Sequence, residues 1–175
     1  MVKTRYIAAG AAAVVVIFVL LLAASSYANA SLQYRSRGAQ GYNFAQSSTD
    51  VAMDICNPTP FPAGFDRLQF VATYRDSDFA TMKFENVSSI PPNKAVAVDG
   101  ALQVNGRAAL AAVFQSFADS LNGKNTGDTN SMKVKMTSES RLLGFVPVSQ
   151  SKEMSADEFS NMINGKSGFG CTVND

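Results

Sequence analysis

The stretch Asn57-Pro58-Thr59-Pro60-Phe61-Pro62 decides the fold, because an alternating segment stands on either side of it. Residues 50–56 precede the stretch and residues 67–74 follow it, and both segments place apolar side chains at every second position. Proline fixes φ and donates no backbone hydrogen bond, so three prolines in five residues are excluded from a central strand. The stretch therefore predicts an ordered, extended crossing between two strands.

Further alternating segments predict that the domain is mainly β and antiparallel. Residues 79–87 follow residues 67–74 across a short polar turn, Asp76-Ser77-Asp78, which is the pattern of a hairpin. Additional strands are predicted at 95–104, 132–138, 142–148 and 168–173. Apolar positions keep the same parity on both sides of Gly100, which indicates a kink or a close backbone approach there rather than a register change.

Two helices are predicted beside the strands. Apolar residues from Leu110 through Phe117 to Leu121 recur at spacings of three and four, which indicates an amphipathic helix near 107–121 that turns this stripe towards the core. Ser155 and Glu158 form a capping-box pattern that opens a short second helix. Strands and helices together predict an antiparallel β-sandwich with one or two packed helices.

The N-terminus predicts a membrane segment. Lys3 and Arg5 precede an uncharged apolar run at 7–24, which is about the minimum length for a helix that crosses a hydrocarbon core. Residues 1–30 are interpreted as a signal-anchor helix, 31–49 as a polar tether and 50–175 as an extracytoplasmic domain. The alternative is a cleaved signal peptide and a secreted protein, because Ala28-Asn29-Ala30 resembles a cleavage site.

Composition limits the classes of function. Without Lys3 and Arg5, the 15 basic residues fall to 13, against 14 acidic ones, so nucleic-acid binding through a basic face is not expected. The chain has two cysteines, Cys56 and Cys171, which in an oxidising compartment are most simply a disulfide. The alternative is a pair of buried free thiols.

No catalytic constellation is found in the sequence. The chain lacks histidine, which removes the serine and cysteine triads and most catalytic zinc sites. Asp76, Asp78 and Asp128 are interpreted as turn and loop residues rather than as a calcium site. We therefore expect no enzyme activity, no metal site and no cofactor. Asn29 and Asn86 begin glycosylation sequons and are the candidate modification sites.

The order of these features resembles the late embryogenesis abundant (LEA) type-2 family, whose unit is the WHy (water stress and hypersensitive response) domain. The matching residues are the strand that ends at Ile55-Cys56, the proline-rich crossing at 57–62, the hairpin at 68–87 and the step Ile90-Pro91-Pro92-Asn93. The resemblance covers roughly residues 44–150 and implies a fibronectin-like β-sandwich. It also implies a role in desiccation or stress protection at or near membranes, without catalytic residues.

Three hypotheses of function remain at this stage. The first is a membrane-anchored extracytoplasmic domain that protects or stabilises an envelope by contact. The second is an accessory subunit of a membrane assembly, for which Phe61 and Phe65 on the crossing are the candidate partner contacts. Against that role, large aromatic side chains usually bury into cores. The third is a carrier of a small apolar ligand or lipid, which would require a large apolar cavity.

Overall fold

The computed structural model describes residues 2–43, 48–74, 77–106, 132–142, 144–165 and 168–171. These residues form an N-terminal helix, seven strands and a short second helix. The elements are α1 (Val2–Ala30), β1 (Gln33–Asn43), β2 (Ser48–Asn57), β3 (Ala63–Tyr74), β4 (Ser77–Ile90), β5 (Lys94–Val104), β6 (Met132–Leu142), β7 (Val146–Ser155) and α2 (Ala156–Ile163). The mainly β, antiparallel class is confirmed. The helix predicted near 107–121 lies outside the described residues.

The seven strands belong to one antiparallel sheet with the order β1-β2-β5-β4-β3-β6-β7. The proline-rich stretch therefore crosses from β2 to β3 over the two strands that separate them. β4 and β5 pair only between Ala80–Phe84 and Gly100–Val104, which joins the two parts of the sheet along a short line. The described strands thus form one continuous sheet, and the division into two separate sheets of a fibronectin-like sandwich is not confirmed.

The sheet curls strongly enough to enclose a core. Tyr34 of β1 and Phe70 of β3 have ring centroids 5.9 Å apart, although three strands lie between β1 and β3 in the sheet. Four strand spacings would separate them by about 19 Å in a flat sheet. The two ends of the sheet therefore face each other, and α2 packs between them with Phe159 against Phe70, at 5.3 Å between centroids.

The capping box predicted at Ser155 is present. The Glu158 backbone N–H donates to Ser155 Oγ at 3.2 Å, and the Ser155 N–H donates to Glu158 Oε2 at 2.9 Å. Phe159 and Ile163 are buried, as the helical spacing predicts. The close approach at Gly100 is also confirmed, because a Cβ there would collide with the Lys83 carbonyl oxygen and the Phe84 ring.

The polar tether predicted at 31–49 is wrong for most of its length, because β1 occupies Gln33–Asn43 and pairs with β2. The polar composition of this segment, which includes Arg35 and Arg37, led to the prediction of a solvated linker. Arg35 donates to Asp54 Oδ2 from Nε and Nη2, at 3.3 and 2.8 Å, and Arg37 donates to Asp54 Oδ1. Asp54 is buried on β2, so the charges of β1 are partners for a buried carboxylate.

Two C-terminal strand predictions are also wrong. Residues 142–148 contain the turn between β6 and β7, where Gly144 has a φ of +81°, and β7 continues through Ser155. Pro147 lies on an edge strand, because β7 ends the sheet, and proline is tolerated there. Residues 168–171 form no strand, and Gly168 has a φ of +88°.

Candidate functional site at the α1 end of the domain

The end of α1 is built into the domain rather than linked to it loosely. Ala28 is 0% exposed and belongs to the hydrophobic core. Asn29 Oδ1 accepts a hydrogen bond from the Gly64 backbone N–H at 2.9 Å, and its Nδ2 donates to Ser140 Oγ at 3.2 Å. These bonds join α1 to the start of β3 and to β6. The last turn of α1 therefore has a fixed position on the sheet.

A buried asparagine holds the proline-rich crossing at the same end. Asn57 is 0% exposed, and its Nδ2 donates to the carbonyl oxygens of Phe61 and Ile90 at 2.7 and 3.0 Å. Its Oδ1 accepts from the Thr59 N–H at 3.1 Å and from Thr59 Oγ at 2.7 Å. The crossing is ordered, as predicted, but it bends at 59–61 around this side chain instead of running extended.

The two aromatic residues predicted as partner contacts, Phe61 on the crossing and Phe65 on β3, differ in burial. Phe65 is 2% exposed and packs in the core, so the prediction that it is a partner contact is wrong. Phe61 is 42% exposed and remains on the surface. The sequence did not separate the two, because it did not show that β3 begins at Ala63, which places Phe65 on the buried face of this strand and leaves Phe61 on the bend before it.

A groove of about 360 Å³ lies where α1 meets the sheet, and we call it the α1-proximal groove. Its walls are Ser25 and Asn29 of α1, residues 62–66, Ser88 and Ser89 at the end of β4, and Arg141 and Gly144 at the β6–β7 turn. Arg141 Nε lies 3.3 Å from Asp66 Oδ2, and both side chains are more than half exposed. Such a pair contributes little stability. The Arg141 guanidinium is therefore available to an anionic group at the groove.

Exposed apolar side chains concentrate around this groove. Among the described residues, the exposed large hydrophobic side chains are those of residues 14–21 and Tyr27 on α1, together with Phe61 and Phe145. Phe61 precedes Pro62 in the groove wall and Phe145 follows Gly144 in it. Phe145 is 64% exposed and stacks on Phe18 of α1, with ring centroids 6.2 Å apart. The described exposed apolar surface therefore lies on α1 and beside it.

Neither Phe145 nor Arg141 stands out in the sequence. Phe145 lies in the segment 142–148, which the alternation predicted to be a strand, and Arg141 directly precedes that segment. The correct signal was Gly144, whose φ of +81° makes it a turn residue between two pairing strands. Asn29 was predicted as a glycosylation site, but its amide nitrogen donates to Ser140 in the structure.

The remaining predicted site residues lie elsewhere. Asn86 is exposed on β4 with a φ of +62°, and its modification stays a prediction. Asp76 and Asp128 lie outside the described residues, and Asp78 is exposed at the start of β4. The residues that the structure describes contain no group of three or more acidic or cysteine side chains arranged to hold a metal ion.

Cys56 and Cys171 form a disulfide in the structure, with an S–S distance of 1.99 Å and a sequence separation of 115. The pairing agrees with the prediction from the cysteine count. Nearby contacts hold the C-terminal segment on β1: the Gly170 N–H donates to Gln33 Oε1 at 2.7 Å, and the Arg35 guanidinium lies 4.4 Å from the Phe169 ring centroid. The disulfide therefore ties the end of β2 to a segment that also packs on β1.

A second groove of about 390 Å³ lies between β1, β7 and α2, at the gap between the two edges of the curled sheet. Its walls include Tyr34, Lys152, Met154 and Glu158. Burial raises the pKa of the Tyr34 phenol. Both described grooves open at the surface, and neither is the enclosed apolar cavity that a lipid carrier requires.

No protein-family model and no curated protein sequence matches the chain. Several solved structures are similar to it at low identity. A crystal structure of a protein from Archaeoglobus fulgidus is 12% identical, with a TM-score of 0.39, over 71% of this chain and 94% of that one. A solution structure of a protein from Arabidopsis thaliana is 10% identical, with a TM-score of 0.34, over 70% and 80%. A putative LEA protein is 10% identical, with a TM-score of 0.28, over 85% and 88%. Likenesses at this level carry no functional information.

Proposed function

We propose that this protein is a non-enzymatic, membrane-anchored extracytoplasmic domain that protects or stabilises a membrane or envelope surface by contact. One observation carries the proposal: the exposed large hydrophobic side chains of the described residues lie on α1 or beside its end. Contiguous exposed apolar surface marks interaction sites with membranes or proteins. The LEA/WHy resemblance supports the protective role.

The composition of α1 supports the membrane part of the proposal. α1 is the one helix in the described residues that is long and apolar enough to cross a membrane, judged by length and composition only. Only 6% of its window Ala13–Ala30 is buried against the domain, so most of its apolar side chains remain exposed there. A bilayer would cover these apolar side chains, and Lys3 and Arg5 would remain on the side of the membrane opposite the domain.

The packing of Ala28 and Asn29 favours an uncleaved anchor over a signal peptide. Cleavage after Ala30 would remove a fully buried core residue and both hydrogen bonds of Asn29 to β3 and β6. A signal peptide is discarded before the mature protein is complete, so the mature fold does not depend on it. The disulfide is consistent with an oxidising compartment for the domain.

The proposal is tested by extracting the native protein gently from membranes without reductant and measuring its intact mass and its partners. A full-length mass in the membrane fraction and no stoichiometric partner would support it. A mass that begins at Ser31 would overturn the anchor. Protease treatment of sealed vesicles would then show on which side the domain lies.

A second candidate is an accessory subunit of a membrane assembly, and the exposure of Phe61 favours it. Asn57 and Thr59 hold the crossing in one conformation, so Phe61 presents a fixed aromatic ring to a partner. Rigid, solvent-exposed aromatic residues are frequent anchors of protein interfaces. A stoichiometric partner that is lost in Phe61→Ser but retained in the surface control Asn161→Ser would support this candidate over the first.

A further inference from the structure

The tip of the β6–β7 hairpin carries Phe145, one of the exposed aromatic side chains beside α1. The chain turns at Gly144 and Phe145, where the Gly144 N–H donates to the Arg141 carbonyl oxygen at 3.2 Å. Phe145 is more exposed than any other aromatic side chain that the structure describes outside α1. An aromatic ring that stays in water forgoes the free energy gained by burial in an apolar environment. An apolar neighbour at the turn is therefore favourable.

Phe18 of α1 is that neighbour in the structure, and its position along the helix gives the depth of the tip. Ser25 is the first polar side chain after the apolar run at 7–24, and Phe18 precedes it by seven residues. At 1.5 Å of rise per residue, Phe18 lies about 10 Å along the helix from the polar end of the run. Stacking on Phe18 places the Phe145 ring at the same level as the apolar middle of α1.

The backbone of the tip is suited to an apolar environment. The turn closes with a hydrogen bond between Gly144 and Arg141, and Pro147 on the outer strand has no N–H to satisfy. Unsatisfied backbone groups are what excludes most irregular structure from lipid. Among the described residues of the tip, Gly144 and Pro147 present no unsatisfied N–H.

Polar residues follow at the level where the hydrocarbon would end. Arg141 lies at the base of the tip and shares the α1-proximal groove with Ser25 and Asn29 of α1. Arginine places its apolar stem along hydrocarbon and its charged head among lipid headgroups. The order along the membrane normal is therefore an aromatic ring, then a cation, then the folded domain.

We propose that the β6–β7 tip is a second membrane-contact element, in which Phe145 inserts among lipid acyl chains beside α1 and Arg141 lies at the headgroup level. The proposal rests on the proposed function in one respect, because it requires α1 to cross the bilayer. Because the last turn of α1 has a fixed position on the sheet, a second contact at the tip would limit the tilt of the whole protein relative to the membrane.

The chain contains no tryptophan, so a single introduced tryptophan reports on one position only. We would place it at Phe145, at Leu21 on the exposed side of α1, and at Ser151 on the exposed part of β7. Ser151 lies six residues beyond Phe145, about 20 Å along the strand. Each full-length variant is reconstituted in phosphatidylcholine vesicles with and without brominated acyl chains, and tryptophan emission is measured. Circular dichroism confirms that all three variants fold alike.

The proposal expects Phe145→Trp and Leu21→Trp to lose comparable fractions of their emission to the brominated chains, while Ser151→Trp loses none. Quenching of Leu21→Trp without quenching of Phe145→Trp would overturn tip insertion and leave the membrane anchor intact. If neither were quenched, the anchor itself would be wrong, and tip insertion with it. Equal quenching at Ser151 would overturn the fixed orientation, since the whole hairpin would then lie in lipid.

Discussion

Substitution of Asn57 by alanine tests whether one buried side chain organises the proline-rich crossing. Asn57 uses both of its polar atoms on backbone groups of the crossing and of β4, and Thr59 adds a hydroxyl bond to the same oxygen. Alanine removes all four bonds at once. The bend at 59–61 then keeps only the bonds between the Thr59 hydroxyl and the Phe61 backbone, and the end of β4 loses the bond from Asn57 to the Ile90 carbonyl.

The expected loss of unfolding free energy in Asn57→Ala follows from the polar groups that lose their hydrogen-bond partner. The Ile90 carbonyl and the Thr59 N–H belong to buried residues, whereas the Phe61 carbonyl is nearer to solvent and water can reach it. A buried group that is left unsatisfied costs about 1–3 kcal/mol. Two such groups, with a small cavity in addition, place the loss of unfolding free energy at about 3 kcal/mol. Thr59→Val removes only the hydroxyl bonds and should cost about 1 kcal/mol.

Urea denaturation of the full chain in nonionic detergent, followed by circular dichroism, measures these losses. With a slope of about 2 kcal/mol per molar urea, Asn57→Ala should lower the midpoint by roughly 1.5 M. Asn161→Ala is the matched control, because this asparagine is exposed on α2 and its loss should change stability by less than about 0.5 kcal/mol. A midpoint for Asn57→Ala equal to that of the control would refute the role assigned to this side chain.

Three further predictions concern the disulfide, the core and a buried phenol. Cys171→Ser should lower the melting temperature by several degrees under oxidising conditions, because a loop closed over 115 residues restricts the unfolded chain by roughly 4–5 kcal/mol; reductant should remove the difference from the parent protein, and an unchanged melting curve would count against the bridge. Phe65→Ala should cost about 3–5 kcal/mol in urea denaturation, whereas Phe61→Ala should cost less than about 1 kcal/mol, and equal losses would contradict the assigned burial. Because burial raises the pKa of Tyr34, the folded state keeps this phenol neutral to higher pH than the unfolded chain does. The stabilisation from the buried neutral phenol is complete below the unfolded pKa of about 10 and is lost as the pH rises from there through the higher folded pKa. Tyr34→Phe should therefore flatten the decline of stability with pH, measured by denaturation series at increasing pH above about 10.

The strands of the centre of the sheet could be predicted because they are buried on one face only. In β3, Leu68, Phe70 and Ala72 are buried and alternate with more exposed positions, so the period of two is visible in the sequence. Prolines between two such segments exclude a strand whatever the tertiary structure is. Local rules therefore sufficed for the crossing, the β3–β4 hairpin, the capping box and Gly100.

β1 could not be predicted from its own residues, because its stability depends on β2. Arg35 and Arg37 indicate a solvated segment until the buried carboxylate of Asp54 is known to lie across from them. The pairing joins residues nineteen positions apart for Arg35 and Asp54, and no local pattern records it. The prediction of the β6–β7 turn failed for a related reason, since Phe145 packs on Phe18 of α1 and its apolar character resembles that of a strand residue.

The candidate site was predictable only in outline. The apolar run of α1 and the aromatic residues at 61 and 65 are visible in the sequence, but their burial depends on where β3 begins: Phe65 lies on the buried face of β3, and Phe61 lies on the bend before it. Phe145 became a candidate only when the structure placed it against Phe18, 127 positions earlier in the chain. Surfaces that act by contact are assembled from distant segments, and no motif spacing records their geometry.

Two asparagines fix the geometry of the α1 end, and this bears on how such a domain can act by contact. Asn57 fixes the crossing that carries Phe61, and Asn29 fixes the last turn of α1 on β3 and β6. A flexible tether in place of β1 would have left the domain free to turn on its anchor. Instead, β1 follows α1 after two residues and pairs with β2 at once. In the proposed function, this fixed geometry would present the same surface of the domain to the membrane in every molecule.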